Sequence, residues 1–421
     1  MKNIEERQFE LLKEIGFVRT SGTEEELLAA NILREKLNSL GVESKLEPFK
    51  VSCYNMKKAK LEILEPFNKE YTVTGMGFSG NTEEEGLTAD FEYVEQAEPI
   101  NLVNVKGKIV LINGGLTIKK YENIIKAGAV GFITFSGTVL DDEEKTDIEK
   151  RMLREKHLEF GKVPGVNVRV KDALEMVALE CSKVRITVLQ EEGEAESHNL
   201  IADIKGTDYP EEVVVIMAHY DSVPFSKGVY DNGAGSVIIM ELLRHYLENP
   251  PKRTIRFIWF GSEERGLLGS KDYVKSHESE LEAIKFGINV DVAGAILGED
   301  KALVTGDESL CNMIEYFSKE VCFPITVKQS IYSSDCIPFA DKGIPVVNFG
   351  RFGANGATKI HSRYDILDYL SPKYLYKTMN FVKDFSEKII NAYVFPVPRK
   401  MPENMVKDID KYLKKKDCKN K

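Results

Sequence analysis

Apolar positions along the chain fall into two periods, and each predicts elements. Phe9, Leu11, Leu12 and Ile15 have helical spacing that ends near Gly16. Thr23 followed by Glu26 has the form of a capping box, hydroxyl and carboxylate each satisfying an amide, and predicts a helix through Leu27, Leu28, Ile32, Leu33 and Leu37 to Gly41. Val42 to Val51 alternates as a strand does. From about residue 54 the runs shorten: Leu61 to Leu64 and Tyr71 to Thr74 are strand candidates between Gly, Asn and Glu clusters. Val105 to Ile112 and Gly128 to Phe135 then read as strands on either side of a helix at Tyr121 to Lys126. A strand at Val163 to Val170 and a helix at Asp172 to Leu179 follow. Asp141 to Glu155 is a charge run, which predicts a solvated helix or loop.

After an acidic linker at Glu191 to Glu196 the pattern changes again. Val213 to Ala218 is an unbroken apolar run, the mark of a strand buried on both faces, and such strands present ligands at their carboxyl ends. Val237 to Leu247 is a helix stopped by Pro250 and Pro251. Strands at Asn199 to Ile204, Thr254 to Phe260, Phe286 to Val290, Ala302 to Thr305 and Ile344 to Phe349 alternate with helices near 268–276, 308–320, 335–342 and 371–392. This alternation predicts an α/β fold, a mostly parallel central sheet flanked by helices. The chain divides into a discontinuous main domain, 1–53 and 193–395, a β-rich insert at 54–192, and a lysine- and proline-rich tail at 396–421 that packs late or frays.

Composition narrows the function classes. At 421 residues the chain is long for one core, so two units are expected. Hydrophobic residues at 43% and charged residues at 29% are ordinary for a soluble protein, and no stretch approaches the roughly 18 apolar residues that span a bilayer, so no membrane association is expected. The charged start, Met1 to Glu10, lacks the apolar core of a secretory signal, so the chain is expected to be cytoplasmic, an already trimmed chain being the alternative. Cys53, Cys181, Cys311, Cys322, Cys336 and Cys418 are scattered, as free thiols are. A net charge of -10 argues against nucleic acid as a partner and suits a site built of carboxylates.

The candidate chemistry sits at the predicted strand ends. His219 and Asp221 close the Val213 run and Asp231 follows ten residues later; Glu263 and Glu264 follow the Thr254 strand, Asp291 the Phe286 strand and His361 the Ile344 strand. Two imidazoles and several carboxylates at one rim of a sheet suit Zn²⁺ or a similar first-row ion, and without thiolates a structural zinc knot is disfavoured. His245 and His277 fall on helices, and His157 and His198 lie in or beside the insert; these four read as structural or surface residues. Asp335 reads either as a neighbour of the site or as a helix N-cap.

The sequences HYDSV at 219–223, DNGAG at 231–235, SEERGLLGS at 262–270, NVDVAG at 289–294, SDCIPF at 334–339 and HSRYD at 361–365 stand in an order that resembles the co-catalytic di-zinc aminopeptidases, relatives of aminopeptidase Y and glutamate carboxypeptidase II. The resemblance covers most of residues 1–50 and 193–393. It implies a zinc-exopeptidase fold and two Zn²⁺ ions, other divalent first-row metals being tolerated. One ion is held by His219 and Asp291 and the other by Glu264 and His361, with Asp231 bridging. It further implies attack by a metal-bridging hydroxide, Glu263 as general base, Asp221 accepting the free ring N–H of His219, and a cis bond between Asp231 and Asn232. A bridging carboxylate is what two divalent ions about 3.5–4 Å apart require. The implied partner is a peptide with a free amino terminus, and the family allows a homodimer. Several relatives place a tyrosine directly before the last histidine, where this chain has Ile360; Tyr332 and Tyr364 are the candidates for steadying the oxyanion instead. In the insert, KGKIVLI, KAGAVGFITF and the Val163-Pro164-Gly165 strand start resemble the protease-associated domain. Two other functions stay open: a carboxypeptidase or other amidohydrolase with the same site, and a non-catalytic binding module.

Overall fold

The computed structural model describes residues 3–415. Cys418 and the end of the tail lie outside the described residues, and the five described cysteines are all free. The chain packs as two units, Met1–Val51 with Ala195–Lys421, and Ser52–Glu194.

In the first unit the sheet order is Ile325–Gln329, Gly298–Thr305, Val346–Gly353, Ile284–Val290, Tyr209–His219, Arg253–Phe260, and then the carboxyl-terminal part of Lys183–Ile204. Four of the six neighbouring pairs are parallel; Gly298–Thr305 runs against Val346–Gly353, and Arg253–Phe260 against Leu200–Ile204. The central strand explains why both faces are covered. Strand side chains alternate, so Val214, Ile216 and Ala218 pack with the helices Ile4–Glu14, Glu24–Ser39, Ala234–Glu248 and Pro372–Ile390. Val215 and Met217 point the other way, to Tyr273 and Val274 of Leu268–Ser276, Phe339 of Cys336–Asp341 and Ile409 of Glu403–Leu413. All five central residues are fully buried, and each of the four larger side chains, Val214, Val215, Ile216 and Met217, contributes about 1.5–3 kcal/mol.

In the Ser52–Glu194 unit, Leu87–Tyr93 runs antiparallel to the amino-terminal part of Lys183–Ile204. Leu87–Tyr93, Ile109–Leu111, Gly131–Ser136 and Gly165–Arg169 are parallel neighbours, with Thr74–Gly75 antiparallel at one edge. Its core also alternates: Ile109 and Leu111 pack with Ile133, Val166 and Met176, while Val110 and Ile112 pack with Tyr121, Ile124 and Phe132.

Several expectations need correction. The strand expected at Val105 to Ile112 is only Ile109–Leu111, because Lys106 and Gly107, with Gly107 at φ +76, form a turn. Leu27 and Leu28, placed among the apolar positions of the second helix, are 36% and 51% exposed; Ala29, Ala30, Leu33 and Leu37 carry its buried face. The tail does not simply fray over its described part. Glu403–Leu413 is a helix that buries Met405 and Ile409, and Tyr412 Oη lies 2.5 Å from Ser333 Oγ. The half-buried edge strand Ile325–Gln329 was not anticipated.

Candidate metal centre

The predicted ligands lie at the ends of strands of the first unit or in the segments that follow them. His219 is the last residue of Tyr209–His219 and Asp291 follows Ile284–Val290, the two strands being parallel neighbours. Glu263 and Glu264 follow Arg253–Phe260, the neighbour on the other side. Asp231 lies in the turn Val229–Gly233 that leads into Ala234–Glu248, and His361 in the loop after Val346–Gly353.

The side chains converge. His219 Nε2 lies 3.3 Å from Asp231 Oδ1 and 3.6 Å from Asp291 Oδ1, while His361 Nε2 lies 3.3 Å from Asp231 Oδ2 and 3.1 Å from Glu264 Oε2. The two oxygens of Asp231 thus face two different histidines, and two three-residue sets share that one carboxylate. Glu263 belongs to neither set; its Oε2 is 4.0 Å from His219 Nε2. The two sides differ in access. Side-chain exposure is 2% at His219 and 47% at His361.

Electrostatics follows from burying this much charge. Burial opposes the charged form of His219, and the carboxylates around it, Glu263 foremost, overcome that and raise the ring well above its ordinary value. Burial likewise opposes His361, but Asp231 and Glu264 push it up to about 11. Burial would raise Asp231; its hydrogen bonds to His219 and His361 win and hold it low. Glu263 is pushed well above the glutamate range by burial, aided by Glu264 and Asp335 and opposed by His219. Glu264 is pushed up to about 7 by burial and Asp231, with His361 opposing. Glu264 Oε1 and Asp291 Oδ1 are buried acceptors with no hydrogen-bond partner. Unpartnered buried oxygens beside two imidazoles, in two sets that share Asp231, make a donor set that fits divalent cations.

The surrounding backbone is held by groups that local pattern reveals only in part. Asp221 Oδ1 lies 3.3 Å from His219 Nδ1 without making a hydrogen bond to it, and the same carboxylate accepts the amides of Glu263 at 2.9 Å and Glu264 at 3.2 Å. Asp365 was not singled out; it accepts the amides of Tyr230 at 2.7 Å and Asp231 at 3.1 Å. Its only local signal is an acid four residues beyond His361. Across the cis Asp231–Asn232 bond, Asn232 donates to Val290 O at 2.8 Å and accepts from Gly235 N at 2.9 Å, joining the bridging turn to the strand that leads to Asp291.

The remaining candidates separate. Asp335 starts the Cys336–Asp341 helix, but its side chain makes no capping bond; it is buried and pushed up to about 7, chiefly by burial. Tyr332 stands near the site: burial, then Asp291, Asp231 and Glu263, raise its phenol, and its ring meets Phe352 edge-on at 5.6 Å. Tyr364 lies under Lys359. The other histidines are engaged elsewhere, His245 with Glu387, His277 with Glu47, His198 with Glu196, and His157 with Leu116 O.

Comparison with known proteins gives a consistent result. The family model for peptidase family M28 matches residues 199–386. Aminopeptidase YwaD of Bacillus subtilis (strain 168) is 30% identical over 347 residues, covering 79% of this chain and 71% of the relative. Carboxypeptidase Q of Bos taurus is 27% identical, covering 75% and 70%. Among solved structures, BSAP, a zinc aminopeptidase from Bacillus subtilis, superposes with a TM-score of 0.77 at 24% identity, over 96% of this chain and 98% of that one. The peptidase M28 precursor from Shewanella amazonensis SB2B superposes at 0.73 with 26% identity, over 94% and 99%.

Proposed function

The chain belongs to peptidase family M28, and from that footing we propose that it is an aminopeptidase with a pair of zinc ions as cofactor. Metal-dependent peptide hydrolysis comes with the family; the choice of peptide end and the number of ions are proposed. The observation that carries the proposal is Asp231, whose two oxygens face His219 and His361 and give two ligand sets with one shared member.

On this reading His219 and Asp291 hold one ion, Glu264 and His361 the other, and Asp231 both. Ions bound there supply Lewis acidity, polarising the scissile carbonyl and lowering the pKa of a water towards about 7. Glu263, outside both ligand sets, would accept a proton from the attacking water and return it to the leaving amine. Asp221 keeps the His219 ring in place and fixes the amides of both glutamates. Tyr332 is the candidate donor to the oxyanion. The surplus of carboxylates over imidazoles favours a substrate with a protonated amino terminus, which enters from the open His361 side. The parallel sheet of the Ser52–Glu194 unit supports reading it as a protease-associated domain.

The carboxypeptidase Q relatives favour a second reading, hydrolysis directed by the free carboxyl end. Metal analysis by mass spectrometry, with assays on aminoacyl anilides, amino-acetylated peptides and amidated peptides, separates the two. The aminopeptidase reading expects bound metal, turnover that requires a free amino terminus, and a loss of about 10²–10⁴-fold in Glu263→Gln with metal retained. Cleavage of amino-acetylated but not amidated peptides moves the assignment to the second reading. Unchanged turnover in Glu263→Gln overturns the general-base role.

A further inference from the structure

The residue before the glutamate pair is in an unusual conformation. Ser262 has φ +56, the left-handed region, which is strained for a residue with a side chain. From Ser262 onward, three successive amides donate to carboxylates. Ser262 N donates to Glu26 Oε1 at 2.9 Å, and those of Glu263 and Glu264 donate to Asp221. The Ser262 hydroxyl also donates to Glu26 Oε1, at 3.2 Å, and lies 2.5 Å from Ser21 Oγ.

Glu26 is not doing what its sequence position suggested. Thr23 accepts the Glu26 amide, as in a capping box, but the Thr23 amide goes to Thr20 O and the Glu26 carboxylate turns inward. There it is 1% exposed and also accepts from Gly22 N at 2.6 Å and Ser197 Oγ at 2.9 Å. Packing at this point is close: a Cβ on Gly261 would stand 2.5 Å from Ser197 Oγ and 3.0 Å from Glu26 Oε1. The same connection between the first two helices reaches the other ligand loop. The side chain of Arg19, fully buried, makes five described hydrogen bonds, all to main-chain carbonyls, among them Tyr220 O, Lys227 O and Gly228 O in the loop between His219 and Asp231.

We propose that Glu26 is a positioning residue for Glu263 and Glu264: by taking both donors of Ser262 it holds that residue left-handed and so sets the directions in which the two glutamates leave the strand end. This rests on the reading that the pair serves a metal-dependent hydrolysis, one as base and one as ligand. Exposed Glu25, on the same helix turn, has no such contact and serves as the control.

The test compares Glu26→Ala, Glu26→Gln and Glu25→Gln in the full chain. Zinc affinity of the chelator-stripped protein is measured by competition with a chromophoric zinc indicator, kcat and KM on an aminoacyl anilide, and folding by circular dichroism. Glu26→Ala is expected to weaken zinc binding and lower kcat by about tenfold or more, with KM changed little. Glu26→Gln, whose amide oxygen can still face Ser262, falls between, and Glu25→Gln matches wild type. Should Glu26→Ala fail to fold, Glu26→Gln in a Ser262→Gly background decides. Glycine takes φ +56 without steric cost, so the loss there is expected to shrink. Wild-type zinc affinity and kcat in folded Glu26 variants, or an equal loss in the glycine background, overturns the proposal. If the wild-type protein turns over no aminoacyl substrate, the functional reading fails while the zinc affinities still decide the role of Glu26.

Discussion

The amide of Glu263 donates to Oδ1 of Asp221 at 2.9 Å, so the group that supports the ring of His219 also holds the backbone of the proposed base. One carboxylate therefore couples two strand ends. Asp221→Ala is expected to lower metal affinity and kcat together, each by about 10–100-fold, measured by zinc competition and steady-state kinetics. A loss confined to one of the two would show that the link between the strand ends is not functional.

Tyr332 and Tyr364 were equal candidates on sequence; the charges of Asp291, Asp231 and Glu263 act on the phenol of Tyr332, which favours it. Tyr332→Phe is expected to reduce kcat by up to about 10²–10³-fold with little change in KM, and Tyr364→Phe to leave kcat nearly unchanged. The reverse order in a kcat comparison would move the oxyanion role to Tyr364.

Metal bound to the native chain and not to the unfolded one stabilises it by mass action, about 2.7 kcal/mol at a free concentration a hundred times Kd. Chelation should lower the melting temperature in differential scanning fluorimetry, and zinc should restore it. No shift on chelation would contradict a metal held by five residues of the native fold.

Glu26 carries a pH signature. Burial, then Asp221, push its carboxyl from the ordinary 4.5 up to about 8, against the donors that favour its ionised form. Between these values the unfolded chain has released the proton and the native chain keeps it. The native state binds more protons, so this contribution to stability is complete below about 4.5 and declines as pH rises towards about 8. Urea melts from pH 5 to pH 8 should show wild type losing stability relative to Glu26→Gln. A constant difference across that range would contradict the shift.

Much of the site was legible because its ligands follow apolar runs. His219 and Asp291 follow buried runs, 214–218 and 286–290, whose ends could be read from hydrophobicity alone. The sheet was legible for the same reason, except where the signal was weak. Ile325–Gln329 is half-buried at an edge, and the apolar stripe of Glu403–Leu413 is thin within a lysine-rich tail. The supports were hidden for a different reason. Glu26 meets Ser262 across 236 residues and Asp365 meets Asp231 across 134, and no local period records such a partnership. Where the local rule did speak, as in the capping box at Thr23, the tertiary partner outcompeted it.

The anchoring of the Asp231 turn also bears on how the protein is made. Arg19 grips Gly228 O from near the start of the chain, and Asp365 grips the Asp231 amide from near its end. A chain emerging amino terminus first therefore holds His219 and Asp231 long before it holds the groups that finish their setting. The nascent protein cannot hold the Asp231 turn from both sides until residue 365 has been synthesised, 134 residues after Asp231 itself.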